Sequence, residues 1–182
     1  DITKVPLKLL RESIGYVPQD NFLFSSSIKS NIGFTPAEPD MDGIRRAARI
    51  SQIDDTIMEL PDKYETMLGE RGVNLSGGQK QRVSIARALV KDPAILILDD
   101  CLSAVDTNTE RKILDELKPF MEKRTCIIIA HRISTLQDAD EIIVLDDGQI
   151  IERGNHEELL DNRGYYYKIY QRQLLEEEIK SY

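Results

Sequence analysis

Two hydrophobic rhythms run through this chain. Unbroken apolar runs stand at Ile14-Gly15-Tyr16-Val17, closed by Pro18, at Ala94-Ile95-Leu96-Ile97-Leu98, closed by Asp99-Asp100, and at Thr125-Cys126-Ile127-Ile128-Ile129-Ala130, closed by His131. Runs of this length predict buried strands. The stretch from Ala94 to Leu98 has no polar position at all, which predicts a strand covered on both faces, as in a parallel sheet. Glu141-Ile142-Ile143-Val144-Leu145 and Gln149-Ile150-Ile151-Glu152 flank Asp146-Asp147-Gly148, a hairpin signal.

Between these runs the spacing is helical. Ile44, Ala47, Ala48 and Ile50, then Ile53 and Ile57, predict helices over residues 41–58. A loop with two prolines precedes them over 36–42, and Pro61-Asp62-Lys63 breaks the pattern afterwards. Leu9-Leu10-Arg11-Glu12-Ser13 predicts a short helix ahead of the first strand. Ile113, Leu114, Leu117 and Phe120 share one helical face, and Thr107 with Glu110 predicts a capping box at the start of that helix. From Glu157 onward the pattern is helical. Tyr165, Tyr166, Tyr167, Ile169, Tyr170 and Leu174 form an aromatic and apolar stripe that reads as packing. Glu176-Glu177-Glu178 reads as a solvated helix tail, and Asn155-His156-Glu157-Glu158 as a capped helix start with no catalytic role for His156.

Composition narrows the class. At 182 residues the chain can bury a sizeable core as one domain. Its formal net charge of −8 argues against broad nucleic-acid binding. The longest apolar runs fall far short of the roughly 20 residues that span a bilayer, and the opening segment has no signal-peptide pattern. Cys101 and Cys126 lack metal or Cys-x-x-Cys spacing and read as small buried residues in a reducing compartment.

One stretch organises the rest: Val73-Asn74-Leu75-Ser76-Gly77-Gly78-Gln79-Lys80-Gln81-Arg82. Ser76 and Gln79 have capping-box spacing, and a helix follows to about Lys91, before Asp92-Pro93. Gly77 and Gly78 add nothing to a cap and cost about 1 kcal/mol each against alanine in a helix. A helix start without side-chain bulk lets an anion approach the unpaired N–H groups and the positive end of the helix dipole. Leu75-Ser76-Gly77-Gly78-Gln79, followed by Lys80-Gln81-Arg82-Val83-Ser84-Ile85-Ala86-Arg87-Ala88-Leu89, resembles the signature motif of ABC-type ATPases. Further matches follow in that family's order and cover nearly the whole chain.

The resemblance implies roles position by position. Gln19, in Tyr16-Val17-Pro18-Gln19-Asp20, matches the glutamine that touches Mg²⁺ and the attacking water. Two carboxylates at the end of the 94–98 run lie where α/β sheets bind ligands and resemble Walker B. Asp99 would hold Mg²⁺ through water. Asp100 stands where hydrolytically competent members usually carry glutamate. Cys101-Leu102-Ser103-Ala104-Val105-Asp106 matches the D-loop, with Ser103 and Asp106 carried over. His131 resembles the switch histidine that contacts the γ-phosphate. The segment from Asn21 to Ile32 resembles exporter-type members: Phe22, Leu23, Phe24, Ile28 and Ile32 fill a helical subdomain or stay exposed for a membrane domain to dock. Gly69-Glu70-Arg71-Gly72, a charged turn as bare sequence, resembles the exporter loop that contacts transmembrane helices.

Departures matter as much. No glycine here is followed by lysine, so the phosphate loop Gly-x-x-x-x-Gly-Lys-[Ser/Thr] is absent, as is the adenine-stacking aromatic loop; by resemblance both lie upstream of Asp1. The expected fold is α/β, the later part of a P-loop NTPase (RecA-like) parallel-sheet core, incomplete at its N-terminus. Residues 22–89 form an inserted α-helical subdomain, and 1–21 with 90–182 form the rest. The implied function is ATP binding and hydrolysis driving export, with ATP and Mg²⁺ as ligands, at the cytoplasmic face of the inner membrane. The implied partners are a transmembrane domain and a second nucleotide-binding domain, head to tail, with no nucleic acid. Gln19, Asp99, Asp100 and His131 would serve this chain's own site, and Ser76, Gly77, Gly78 and Gln79 the partner's. The shorter Asp100 implies poor hydrolysis at its own site, unless a small backbone shift restores its reach; beside an intact signature it suggests an asymmetric pair resembling bacterial heterodimeric multidrug-type exporters, with a homodimer as the weaker reading. Two other classes stay open: a soluble ABC ATPase of DNA repair or chromosome organisation, and a non-catalytic fragment that keeps the signature face.

Overall fold

Three apolar runs of strand length form one parallel sheet. In the computed structural model, which describes residues 1–35, 40–72 and 74–180, these are β1 (Ile14–Val17), β2 (Ile95–Asp99) and β3 (Thr125–Ile129), in the order β1-β2-β3. Ile14 pairs with Ile95 and Ile95 with Thr125, so all three strands end at one edge. Pro36 and Pro39 of the expected loop, and Val73 at the head of the glycine-rich stretch, lie outside the described residues.

Parallel strands need long crossovers, and helices supply them. Helix α1 (Leu7–Ser13) leads into β1. From β1 to β2 run α2 (Ile28–Ile32), α3 (Met41–Ile50), α4 (Asp54–Met58) and α5 (Gly77–Val90); α6 (Thr107–Met121) connects β2 to β3. One core joins Val17, Leu96 and Leu98 of the sheet to Ile32, Ile44, Ile57, Ile85 and Leu117 of the helices. Within the helical segment, buried Asp54 accepts from Arg45, Arg49 and the Tyr64 hydroxyl, the last at 2.6 Å.

Two expectations are corrected. Strand β2 is covered on one face only. Leu96 and Leu98 are buried, but Ile95, Ile97 and Asp99 are half-exposed, and the same sheet side leaves Tyr16, Ile127 and Ile129 open. A run that is apolar at both parities carries no sign of which face will be covered, and the helices of this part of the chain pack against only one. The Thr107–Glu110 capping box does not form. Asp106 takes the cap position, accepting from the Thr109 N–H at 3.0 Å, and Glu110 is buried.

The chain divides into two compact units, Asp1–Ile129 and Ala130–Tyr182. The second holds the antiparallel hairpin β4 (Ile142–Asp146) and β5 (Gln149–Gly154), then α7 (His156–Asp161) and α8 (Tyr165–Lys180). Asp147 and Gly148 form its two-residue turn, with φ of 45° and 74°, the backbone that Asp-Gly favours in tight hairpins. Asn155 and Glu158 cap α7 reciprocally. A small core of Ile133, Ile142, Leu159 and Tyr166 joins these elements. Among the described residues, no helix is long and apolar enough to cross a membrane.

Candidate functional site

Because the parallel strands share an edge, the chain leaves β1 and β2 side by side. Asp99 ends β2, and its Oδ2 accepts from the Tyr16 hydroxyl at 3.1 Å. That carboxylate raises the Tyr16 phenol above its ordinary value. Asp100 follows with φ of 44°, a left-handed conformation that aspartate tolerates better than most side chains. Its N–H donates to the Ile129 carbonyl at 2.8 Å, fixing the bend at the sheet edge. Gln19 Nε2 lies 3.4 Å from Asp100 Oδ2. Gln19 and Asp100 therefore meet at the sheet edge, and Asp99, the residue before Asp100, is paired with Tyr16. The carboxylate oxygens of Asp99 and Asp100 and the amide oxygen of Gln19 are the donor type that suits Mg²⁺, a hard cation that takes few protein oxygens and keeps water; the Gln19 amide nitrogen is the atom turned to Asp100.

The loop after Asp100 is held from below. Cys101, Leu102 and Val105 are buried, and burial pushes the Cys101 thiol up to about 12, so it stays protonated at neutral pH. Ser103 Oγ donates to the Asp100 carbonyl at 3.0 Å. Asp106 caps α6; the Thr109 backbone N–H, foremost, holds its carboxyl below the usual range.

Helix α5 opens beside this loop. Ser76 Oγ accepts the Gln79 N–H at 3.3 Å, and Gln79 Oε1 accepts the Ser76 N–H at 2.9 Å, so the capping box is real. The two glycines have a further reason inside the chain. A Cβ on Gly78 would sit 2.7 Å from the Ala104 carbonyl oxygen, whereas one on Gly77 would meet only the Ala104 Cβ, at 3.4 Å. Buried Gln81 then joins helix to loop: its Nε2 donates to Ser103 Oγ at 3.1 Å and its Oε1 accepts the Ala104 N–H at 2.9 Å. The start of α5, Ser103 and Asp100 thus form one connected assembly. Sequence reading missed Tyr16 and Gln81, since a glutamine that acts across 22 residues leaves no local pattern.

His131 belongs to the second unit, two residues after β3, with an exposed side chain. Its backbone carbonyl accepts from Gln173 Nε2 at 2.7 Å.

The segment after Gln19 splits by exposure. Leu23, Ile28 and Ile32 are fully buried, while Phe22, Phe24, Phe34 and Met67 are exposed. Phe22 and Phe24 meet edge to face at 5.2 Å, and Phe24 packs on Phe34 at 4.7 Å. Ile28 N–H donates to the Thr66 carbonyl and Leu68 N–H to the Ser26 carbonyl, which brings the aromatic segment against the stretch leading to Gly69-Glu70-Arg71-Gly72. Arg87 of α5 ties the same segment down, donating to the Asn31 carbonyl at 2.7 Å, Asn31 Oδ1 at 2.8 Å and the Phe22 carbonyl at 2.8 Å.

Paired carboxylates and a glutamine on the C-terminal edge of a parallel sheet, with a glycine-opened helix locked to the next loop, define a nucleotide-binding domain of the P-loop α/β class. The ABC transporter family matches residues 1–103, more than half of the chain, and the chain belongs to that family. It is 56% identical over 169 residues to the uncharacterized ABC transporter ATP-binding protein YknU of Bacillus subtilis, covering 93% of this chain and 29% of that protein. It is 47% identical over 167 residues to the mitochondrial iron-sulfur clusters transporter ABCB7 of Danio rerio, covering 92% of this chain and 22% of that one. Among solved structures, a bacterial Atm1-family ABC exporter with ATP bound matches with a TM-score of 0.92 at 45% identity, over 96% of this chain and 31% of its own. The chain thus spans between about a fifth and a third of the length of these relatives.

Proposed function

We propose that this chain serves as the ATP-binding and ATP-hydrolysing domain of an ABC exporter, coupling Mg·ATP binding and hydrolysis to transport through a transmembrane domain at the cytoplasmic face of the inner membrane. One observation carries the reading: Gln19 meets Asp100 at the sheet edge, next to Asp99 at the end of β2, while Ser76 to Gln79 open a helix tied to the loop after Asp100. In this reading Asp99 and Gln19 hold Mg²⁺, Asp100 orients the attacking water, and His131 meets the γ-phosphate. Bound Mg²⁺ supplies charge neutralisation on the β- and γ-phosphates. Ser76, Gly77, Gly78 and Gln79 complete the ATP site of a second nucleotide-binding domain packed head to tail, with Ser103 and Asp106 along the seam. The phosphate loop comes from sequence outside residues 1–182. The helical subdomain runs over 22–89, and 1–21 with 90–182 belong to the core part.

The exposed Phe22, Phe24, Phe34 and Met67, adjoining the stretch before Gly69, favour the exporter reading over a DNA-repair ATPase, because a clustered apolar surface marks an interface. Asp100 is one methylene shorter than the glutamate of hydrolytic members, and a general base must reach its water. Its site is therefore slow, and the pair is a heterodimer in which this chain completes a competent site on its partner.

A calorimetric titration with Mg·ATP tests the reading, comparing this polypeptide with a version extended upstream through a Gly-x-x-x-x-Gly-Lys-[Ser/Thr] segment. Binding by the extended form alone is the expected result. Tight binding by the 182-residue chain would overturn the placement of the phosphates and require α5 to be reconsidered as a direct ligand site.

A further inference from the structure

The apolar stripe on α8 ends in a polar residue that does not face water alone. Tyr166, Ile169 and Tyr170 pack on the small core around Ile133, and Gln173 follows on the same helical face, seven residues after Tyr166. Its amide reaches the loop after β3. Oε1 accepts the Ile133 N–H at 2.9 Å, and Nε2 donates to the His131 carbonyl at 2.7 Å. Only one orientation of a primary amide satisfies both contacts, so a single side chain grips the backbone on either side of Arg132. Ile133 starts a short 3-10 turn, Ile133–Thr135, whose cap residue Arg132 makes no side-chain capping bond. Gln173 supplies that cap from 40 residues away. The His131 side chain is exposed, so neighbouring bulk does little to hold its ring. The direction of its Cα–Cβ bond follows from the backbone that Gln173 fixes.

We propose that Gln173 is a positioning residue for His131, making α8 the element that aims the histidine. The inference rests on the reading of His131 as the group that meets the γ-phosphate. Gln173 touches no substrate; it sets where the imidazole stands before nucleotide arrives. Misplacement of a reacting group by about 1 Å costs on the order of a hundredfold in rate, so releasing this grip lowers turnover rather than ATP affinity.

The test uses the full-length transporter that carries this chain, with the partner's competent site silenced in its phosphate loop, so that single-turnover phosphate release reports only the site His131 serves and low rates remain measurable. Gln173→Met keeps the length and the packing but neither hydrogen bond. It is expected to lower kcat about tenfold to a hundredfold with KM for ATP unchanged. In a His131→Ala background it is expected to cause no further loss, because the residue it positions is gone. Gln173→Glu retains the Ile133 contact, loses the donor to the His131 carbonyl, and is expected to lower kcat in the same way, which covers a Met variant that does not fold. Wild-type kcat in both Gln173 variants, or an equal fold-loss with and without His131, overturns the proposal and leaves Gln173 a structural contact. Wild-type turnover in His131→Ala alone overturns the underlying reading of His131, and the proposal with it.

Discussion

Gly77 and Gly78 are adjacent in the first turn of α5, yet alanine at the two positions should have opposite effects. Each replacement gains helix propensity, up to about 1 kcal/mol and similar at both sites. The contacts differ. A Cβ at Gly77 would lie 3.4 Å from the Ala104 Cβ, an ordinary contact, and one at Gly78 would lie 2.7 Å from the Ala104 carbonyl oxygen. Backbone must then move, and the loop is held by the Gln81–Ala104 bond and by buried Cys101, Leu102 and Val105. Overpacking of this kind costs about 1–3 kcal/mol. Gly77→Ala should therefore be neutral or stabilising by up to about 1 kcal/mol, and Gly78→Ala less stable than Gly77→Ala by about 1–3 kcal/mol, since the propensity gain cancels in the comparison. Urea unfolding followed by circular dichroism, with equal m-values, reads the difference as a shift in midpoint. Equal stability of the two variants without nucleotide would refute the packing argument and leave anion approach as the only reason for the second glycine.

Asp54 gives a pH-dependent prediction. Burial alone would raise its carboxyl, but the Arg45, Tyr64 and Arg49 donors outweigh burial and hold it below its ordinary value. A lowered folded value contributes stability that is complete above the unfolded value near pH 3.9 and is lost as pH falls through the folded one. Asp54→Asn should cost about 2 kcal/mol at pH 7 and flatten the acid limb of a stability–pH curve; an unchanged limb would show that other carboxylates set it. Arg87→Lys keeps the charge but cannot reach Asn31 and the Phe22 carbonyl together, so thermal melting should show a loss of about 2 kcal/mol. Asp100→Glu in the assembled transporter should raise phosphate release from that site by at least about tenfold, and unchanged turnover would sink the view that side-chain length limits it.

Local signals in the chain determined much of the structure. Strand-length apolar runs specified β1, β2 and β3; Asp147-Gly148 specified the hairpin; Ser76 and Gln79 specified the cap of α5. All are decided within a few residues, by backbone preference or by hydrogen bonds that neighbours can reach. The placement of three proposed site residues was legible in the same way: Gln19 comes just after β1, Asp99 ends β2 and Asp100 follows it, and parallel strands must bring their ends to one edge. Tertiary structure alone decided the rest. It chose which face of β2 is covered, because an all-apolar run has no polar parity to mark the open side. It gave Gly78 a packing role that no helix rule contains, since the carbonyl it must avoid belongs to Ala104. Gln81 and Gln173 read in sequence as ordinary polar helix positions, and each became a fastening only when folding placed a distant backbone within hydrogen-bond reach.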